Sequence, residues 1–329
     1  MTEAVALVGG VSLMSIVFVD LVWTALGVSH GSGPMTASVL RLGWRASSPL
    51  RRRRSHGLLT GVGLLTVLSA MALWVILLWA AWSLIFLVPS AGVVDRAGRA
   101  AGTWDRVYFA GYSLFTLGNG DFQPEGAIWQ IATVAAALSG LTVVSFAIAY
   151  LVLVTSAAAD RQALAVRISL LGESPSAVVK GWWVASERAA SEALLTATAA
   201  PIVELTQRHL AYPALHFFHS AGARSSPPVA IAVLDDALTI LMFGVAQEVR
   251  PSGPAIEGLR RAIDDYLGMV GHHYGDHTAK PPPLLLDDVG AAGVPLVGSD
   301  EFDHALRDLL PRRRALHGLV AAEGFTRPG

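Results

Sequence analysis

The hexapeptide "TLGNGD" (Thr116–Asp121) follows an aromatic stretch, "RVYFAGYSLF" (residues 106–115), and lies between two long apolar segments. Two glycines around an asparagine, followed by an aspartate, are typical of a turn. Irregular backbone at membrane depth is tolerated only where it is buried in protein or lines a water-filled cavity. Between membrane-length segments, the hexapeptide is therefore either an outer loop or the lining of a pore.

The composition indicates a membrane protein. The 329 residues are 53% hydrophobic and 15% charged, with a mean hydropathy of +0.51, and this is too apolar for an ordinary soluble chain. Of the 49 Lys, Arg, Asp and Glu residues, 34 lie from residue 160 onward, so a membrane part precedes a more polar tail. Cysteine is absent, which excludes disulfides, thiolate metal sites and a cysteine nucleophile. The net charge of −1 gives no reason to expect nucleic-acid binding.

Three charge-poor segments, residues 4–28, 58–88 and 126–159, each exceed the roughly 20 residues that cross a bilayer core. We expect three transmembrane helices, the third continuing past the membrane. The residues that precede the first segment include an acid and no basic residue, unlike the start of a signal peptide. We therefore expect this segment to be retained rather than cleaved. The predicted domains are an N-terminal helix (1–28), a basic loop (29–57), a pore domain (58–159, with helices at 58–88 and 126–159) and a helical domain (160–329).

The connection between the first two spans is basic and contains no acid; its run "RRRR" occupies Arg51–Arg54. By the positive-inside rule this loop is cytoplasmic. The N-terminus and residues 89–125 are then expected on the outer side of the cell membrane, and everything after Ala159 in the cytoplasm. A purely topological signal and recognition of anionic lipid are both compatible with the basic run.

The stretch "YFAGYSLFTLGNGDFQP" (residues 108–124) resembles the pore helix and selectivity filter of potassium channels, whose filter reads T-V-G-Y-G-D. Asn119 differs, because the family has a tyrosine there. Residues that carry the resemblance are Thr116, Leu117, Gly118, Gly120 and Asp121 in the filter, Pro124 after it, and Tyr108, Phe109 and Ser113 before it. The resemblance implies a pore helix at 104–117 supported by these aromatic residues and by Tyr112.

Physical chemistry gives the same assignment a reason. A pore that strips water from an ion must supply replacement oxygens, and aligned backbone carbonyls do so. Consecutive carbonyls face one axis when the backbone alternates between left- and right-handed conformations, which glycine at 118 and 120 permits. We therefore expect residues 116–120 to coordinate potassium ions. Asp121 would lie at the outer mouth, where it attracts cations or anchors the filter to the pore helix.

One filter strand cannot surround an ion, so closed cyclic symmetry is expected, and the resemblance implies a homotetramer. Potassium in the filter is the only ligand expected, with no other cofactor. Gly140 lies where the family often carries a hinge in the inner helix, although glycine also permits close helix packing. Asp20 is an acid inside a span, for which snorkelling or pairing with an arginine of the basic loop is expected.

The tail from residue 160 predicts one mainly helical domain, because apolar residues recur at helical spacing in 234–245 and 256–270. Asp235 and Asp236 interrupt one apolar run, which argues against a fourth span. No G-x-G-x-x-G motif indicates nucleotide binding. In "GHHYGDH" (271–277), His273 and His277 are four residues apart, a spacing that could bind zinc on one face of a helix. The alternative interpretation is that they are exposed histidines at a helix end.

No enzyme motif accompanies the serines, histidines and acids of the tail. The sequence therefore predicts a tetrameric potassium channel in the lipid bilayer, gated or assembled by its tail through a regulatory ligand or protein that the sequence does not name. Two alternatives stay open. One is a weakly selective monovalent cation channel, because Asn119 lacks the tyrosine ring, and the other is a non-conducting membrane scaffold or sensor with a degenerate pore unit.

Overall fold

The computed structural model describes residues 2–27, 31–46, 56–184, 188–251, 253–274 and 280–325. In these residues the backbone is mainly helical, with one two-stranded sheet, and the predicted all-α class with a channel-like membrane part is confirmed. The chain divides into two compact units, Met1–Gly43 with Leu65–Val154 and Trp44–Leu64 with Thr155–Gly329. The basic run Arg51–Arg54 lies outside the described residues.

Five helices belong wholly or partly to the first unit. They are α1 (Thr2–Leu26), α2 (Pro34–Ala46), the outer helix α3 (His56–Phe86), the pore helix α4 (Thr103–Leu114) and the inner helix α5 (Ala127–Ser169). Helices α1, α3 and α5 are long and apolar enough to cross a membrane. The inner helix has 43 residues, or about 64 Å at the usual helical rise. That is about twice the hydrocarbon thickness, so part of it extends beyond the bilayer.

Asp20 does not pair with an arginine in the described structure, and its side chain is buried. Its carboxylate accepts hydrogen bonds from the backbone N–H groups of Met35 (2.7 Å) and Thr36 (3.2 Å) and from the Trp74 indole (2.8 Å). The Thr36 hydroxyl donates as well, at 2.6 Å. The acid therefore holds the N-terminus of α2, where unpaired N–H groups favour an anion. The expected snorkelling is wrong for this residue, and pairing with Arg51–Arg54 of the basic loop falls outside the described residues.

A short antiparallel sheet in the first unit joins the segment before the pore helix to the segment after residues 116–121. Strand β1 (Val93–Asp95) precedes the pore helix, and β2 (Phe122–Pro124) follows the filter. The register pairs Val93 with Pro124 and Asp95 with Phe122. The segment after the filter is thus fixed to the loop that leaves the outer helix.

The second unit is built from eight further helices around one apolar core. They are α6 (Pro175–Val184), α7 (Arg188–Thr196), α8 (Ala199–Ala211), α9 (Pro227–Thr239), α10 (Gly253–Tyr274), α11 (Asp287–Gly290), α12 (Ser299–Asp308) and α13 (Leu310–Ala322). Helix α9 lies at the centre, because all of its residues are buried. It packs against α6, α10 and α13. Leu234, Leu238, Ile256 and Leu259, four residues of the predicted helical repeats, belong to this core.

A fourth segment, Pro227–Gly244, is also long and apolar enough to cross a membrane by length and composition. It differs from the other three candidates because 89% of its residues are buried inside the protein, against 22 to 39% for the others. Its two acids are paired within the unit: Asp235 with Arg312 at 2.7 Å, and Asp236 with Arg313 at 2.8 Å. The segment therefore serves as the core of the tail domain.

Candidate functional site

The pore helix α4 is held between the outer and inner helices. Its C-terminal half, from Phe109 to Leu114, is buried. The Phe109 ring packs edge-on against Phe86 of the outer helix, with centroids 4.9 Å apart, and the Trp79 indole donates to the Val107 carbonyl at 3.0 Å. Aromatic packing and one hydrogen bond from α3 thus fix the position of this helix.

The pore helix ends at Leu114, three residues earlier than the predicted range 104–117. Thr116 adopts a left-handed conformation (φ 55°), the only non-glycine residue with positive φ in the described chain. The Leu117 N–H donates to the Tyr112 carbonyl (2.9 Å), and the Thr116 N–H to the Ser113 carbonyl (3.2 Å). This is a Schellman cap with threonine in the place usually taken by glycine. A β-branched residue there costs conformational energy that the surrounding contacts must offset.

Left-handed backbone recurs at alternate positions through the hexapeptide. After Thr116, Gly118 has φ 65° and Gly120 has φ 71°, while Leu117 and Asn119 lie outside the left-handed region. This is the alternation that directs consecutive carbonyls to one side. A Cβ at Gly118 or Gly120 would meet no atom within 4 Å, so backbone conformation, rather than space, accounts for glycine here.

Asn119 is tied to the pore helix by its side chain. Its Nδ2 donates a hydrogen bond to the hydroxyl of Tyr108, eleven residues earlier. The Tyr108 ring also packs edge-on with Tyr112 and Phe122, at centroid distances of 5.4 and 6.3 Å. The tyrosine that the family carries in the filter is absent, and a tyrosine on the pore helix makes the connection instead. The pair Tyr108 and Asn119 was present in the sequence, but their contact was not foreseen.

The remaining pore-helix residues of the sequence prediction lie at the same place. The Tyr112 hydroxyl donates to the Phe122 carbonyl, immediately beyond the filter. Ser113 is buried, and its hydroxyl has no hydrogen-bond partner among the described residues. The Phe109 ring packs edge-on against Tyr112, with centroids 5.2 Å apart, so the aromatic side chains of the pore helix also contact one another.

Asp121 bonds to a residue that the sequence did not single out. In the described structure its carboxylate accepts from Arg96, at 3.1 Å, rather than from the pore helix. Arg96 also donates to the backbone carbonyls of Gly120 (3.1 Å) and Asn119 (3.2 Å). No spacing in the sequence signals this contact, since it depends on the pairing of β1 with β2.

Gly140 lies against the end of the pore helix, within an uninterrupted inner helix. A Cβ placed on it would come within 2.1 Å of the Leu114 carbonyl oxygen. The neighbouring Ser139 hydroxyl accepts a hydrogen bond from Trp82 of the outer helix at 2.8 Å. The glycine therefore permits a close approach of backbone to backbone, and a hinge role is an additional prediction.

The suggested zinc pair cannot be placed. His277 lies outside the described residues, as does the side chain of His273, although the backbone of α10 is helical as far as Tyr274. Among the described residues no group of three or more metal-ligating side chains is found.

Comparison with known proteins agrees with this geometry. A family described as "Ion channel" matches residues 62–157, which contain most of the outer helix, the pore helix, the filter and the apolar part of the inner helix. Residues 62–157 therefore form a two-helix pore domain of the potassium channel superfamily. The resemblance to potassium channels is thereby confirmed for the pore domain, and the match indicates an ion-transport role for this part of the chain.

Similarity to one relative extends over the whole chain. This chain is 30% identical over 319 residues to the "Uncharacterized membrane protein YdjJ" of Bacillus subtilis (strain 168). The aligned region covers 96% of this chain and 93% of that protein. The similarity therefore includes the tail domain, which this membrane protein shares. No solved structure matches the chain significantly.

Proposed function

We propose that this protein is a tetrameric potassium channel in which residues 116–120 of each subunit line the ion path. The observation that carries the proposal is the backbone of the hexapeptide, left-handed at Thr116, Gly118 and Gly120. Successive carbonyls arranged in this way replace the water around a dehydrated cation. The C-terminal end of the pore helix, which carries partial negative charge, leads directly into this segment.

Exposure of the filter in a single chain supports assembly around an axis. Phe115 and Leu117 are 44% and 62% exposed, although both are large and apolar. Four such strands around a closed symmetry axis would bury these side chains and surround an ion with carbonyl oxygens. The proposal places the N-terminus outside the cell membrane and residues 160–329 in the cytoplasm, following the charge asymmetry of the loops.

The bond between Asn119 and Tyr108 favours potassium selectivity over a weakly selective pore. Selective coordination requires that the carbonyls keep a defined spacing around the ion. The Asn119 amide is anchored to the pore helix through the Tyr108 hydroxyl, whose own ring contacts Phe122. The filter therefore has a brace on its outer half, made by a different pair of residues from the family's.

The experiment is ion flux through purified protein in liposomes, with reversal potentials measured in mixed potassium and sodium. We expect potassium-selective flux, reduced selectivity in Tyr108→Phe, and loss of flux in Gly118→Ala, where a Cβ opposes the left-handed backbone. Tyr112→Phe is the matched control, since it removes a hydroxyl from the same helix whose bond goes to the Phe122 carbonyl beyond the filter.

Two results would contradict the proposal. One is the absence of cation flux from the wild type and from every filter variant, which would leave the non-conducting scaffold. The other is a monomeric mass by light scattering in mild detergent. Equal permeability to sodium and potassium in the wild type would instead support the weakly selective channel.

A further inference from the structure

The strand register brings a positive charge to the outer end of the filter. Asp95 of β1 pairs with Phe122 of β2 in antiparallel register. Because the strands run in opposite directions, Arg96, which follows Asp95, comes beside Asp121, which precedes Phe122 and follows Gly120. Backbone pairing of the two strands fixes this neighbourhood, independently of the arginine rotamer.

The Arg96 side chain makes three contacts there. Its Nε donates to the Gly120 carbonyl at 3.1 Å, and one Nη donates to the Asn119 carbonyl at 3.2 Å and to the Asp121 carboxylate at 3.1 Å. A guanidinium presents several N–H donors in a fixed plane, so one side chain can hold two carbonyls and a carboxylate together. The acceptors it uses are the last two carbonyl groups of the proposed ion path (residues 116–120) and the Asp121 carboxylate.

These contacts have an electrostatic consequence. Carbonyl oxygens and carboxylates are the ligands that hard divalent cations prefer. A ring of free Asp121 carboxylates next to free carbonyls would attract such ions and hold them at the mouth. Arg96 donates hydrogen bonds to these oxygens and compensates the charge of Asp121. Its positive charge opposes a divalent cation at this position about twice as strongly as it opposes potassium.

We propose that Arg96 is the positioning residue of the outer filter, and that it holds the Asn119 and Gly120 carbonyls and keeps divalent cations from binding beside Asp121. The inference rests on the proposed function, since it assumes that residues 116–120 line an ion path. It assigns a specificity role to a residue outside the family's filter pattern.

Arg99 provides a matched control in the same turn. It carries the same charge three residues away, and its side chain is 81% exposed. Its Nε bonds to Asp95 at 2.7 Å rather than to the filter. Arg96→Gln and Arg99→Gln therefore remove the same charge from the same loop, but only the first removes a contact with the carbonyls.

The test is binding of Ba²⁺ to the purified full-length protein in low-potassium buffer, measured by isothermal titration calorimetry. We expect Arg96→Gln to bind Ba²⁺ about two- to fivefold more tightly than the wild type, the effect of removing one exposed charged competitor. Arg99→Gln is expected to match the wild type. Arg96→Lys keeps the charge without the planar fork and is expected to fall between the two.

Equal Ba²⁺ affinity in Arg96→Gln and Arg99→Gln would overturn the inference. So would wild-type affinity in Arg96→Lys, because charge alone would then be sufficient. In liposomes, block by external Ba²⁺ should follow the same order. Absence of flux in all variants would refute the proposed channel function, whereas the calorimetric comparison would still decide the role of Arg96.

Discussion

Gly140→Ala tests whether the inner helix uses this glycine to pack against the pore helix. The added Cβ would lie 2.1 Å from the Leu114 carbonyl oxygen and 3.0 Å from its carbonyl carbon. The first distance is about 1 Å shorter than any contact that packed atoms tolerate. The two helices must therefore separate, and overpacking of this kind costs about 1–3 kcal/mol.

The displacement should reach the filter, because Leu114 is the last residue of the pore helix and Thr116 begins the left-handed backbone. We expect Gly140→Ala to lower the thermal stability of the purified protein in detergent and to reduce selectivity for potassium over sodium in liposomes. Gly61→Ala in the outer helix is the control, since a Cβ there meets no atom within 4 Å. Alanine favours a helix over glycine, so this control should be neutral or stabilising.

A gating hinge predicts a different result. If Gly140 serves only to bend the inner helix, alanine should alter the open probability and leave the melting temperature and the reversal potential unchanged. Unchanged stability together with unchanged selectivity would refute the packing argument. The two roles are separated by measuring both quantities on the same variants.

Three other changes test contacts that lie within one unit or the other. Asp20→Ala should destabilise the membrane part by about 3 kcal/mol, because buried donors on Met35, Thr36 and Trp74 lose their acceptor. A melting temperature equal to that of the control variant Glu3→Gln would contradict this expectation. Arg161→Gln should lower the free energy of unfolding by about 3–5 kcal/mol, since it leaves Glu323 buried without its arginine. Arg208→Gln breaks an exposed pair with Asp160 and should lower it by less than about 1 kcal/mol. Equal melting temperatures for the two variants would be inconsistent with the buried pair. Burial, with a smaller effect of nearby Arg161, lowers the pKa of His209 to about 4. The unfolded chain therefore takes up a proton at this histidine first, and stability falls as the pH drops from about 6.5 towards 4. His209→Gln should flatten this part of the curve of melting temperature against pH, whereas His304→Gln, at an exposed histidine, should not.

Local patterns in the sequence were sufficient for much of the fold. Apolar length predicted α1, α3 and α5, and the spacing of glycines in the hexapeptide predicted where left-handed backbone would occur. Both signals act over a few residues, through hydrophobic transfer in one case and steric freedom in the other. The ends of the helices were harder to predict from the sequence. At the end of the pore helix, for example, the Schellman cap uses Thr116, a residue type that rarely adopts the left-handed conformation.

Contacts between distant residues could not be predicted in the same way. Asp20 bonds to Trp74 across 54 positions, and Arg312 bonds to Asp235 across 77. Hydropathy identified both acids as unfavourable in an apolar run, and this was correct, but the partner depends on which helices pack together. For Asp20 the partner proved to be a helix N-terminus, a choice that charge counting alone does not suggest.

The filter is attached to one helix at both ends, and this connects the features described above. Its first residue, Thr116, forms the C-terminal cap of the pore helix, and its Asn119 side chain returns to Tyr108 on the same helix. The spacing of the carbonyls therefore depends on where that helix lies, and the Leu114 contact with Gly140 sets this position from the inner helix. A change in the inner helix near Gly140 is thus expected to act on the carbonyls of residues 116–120 directly, through the end of the pore helix.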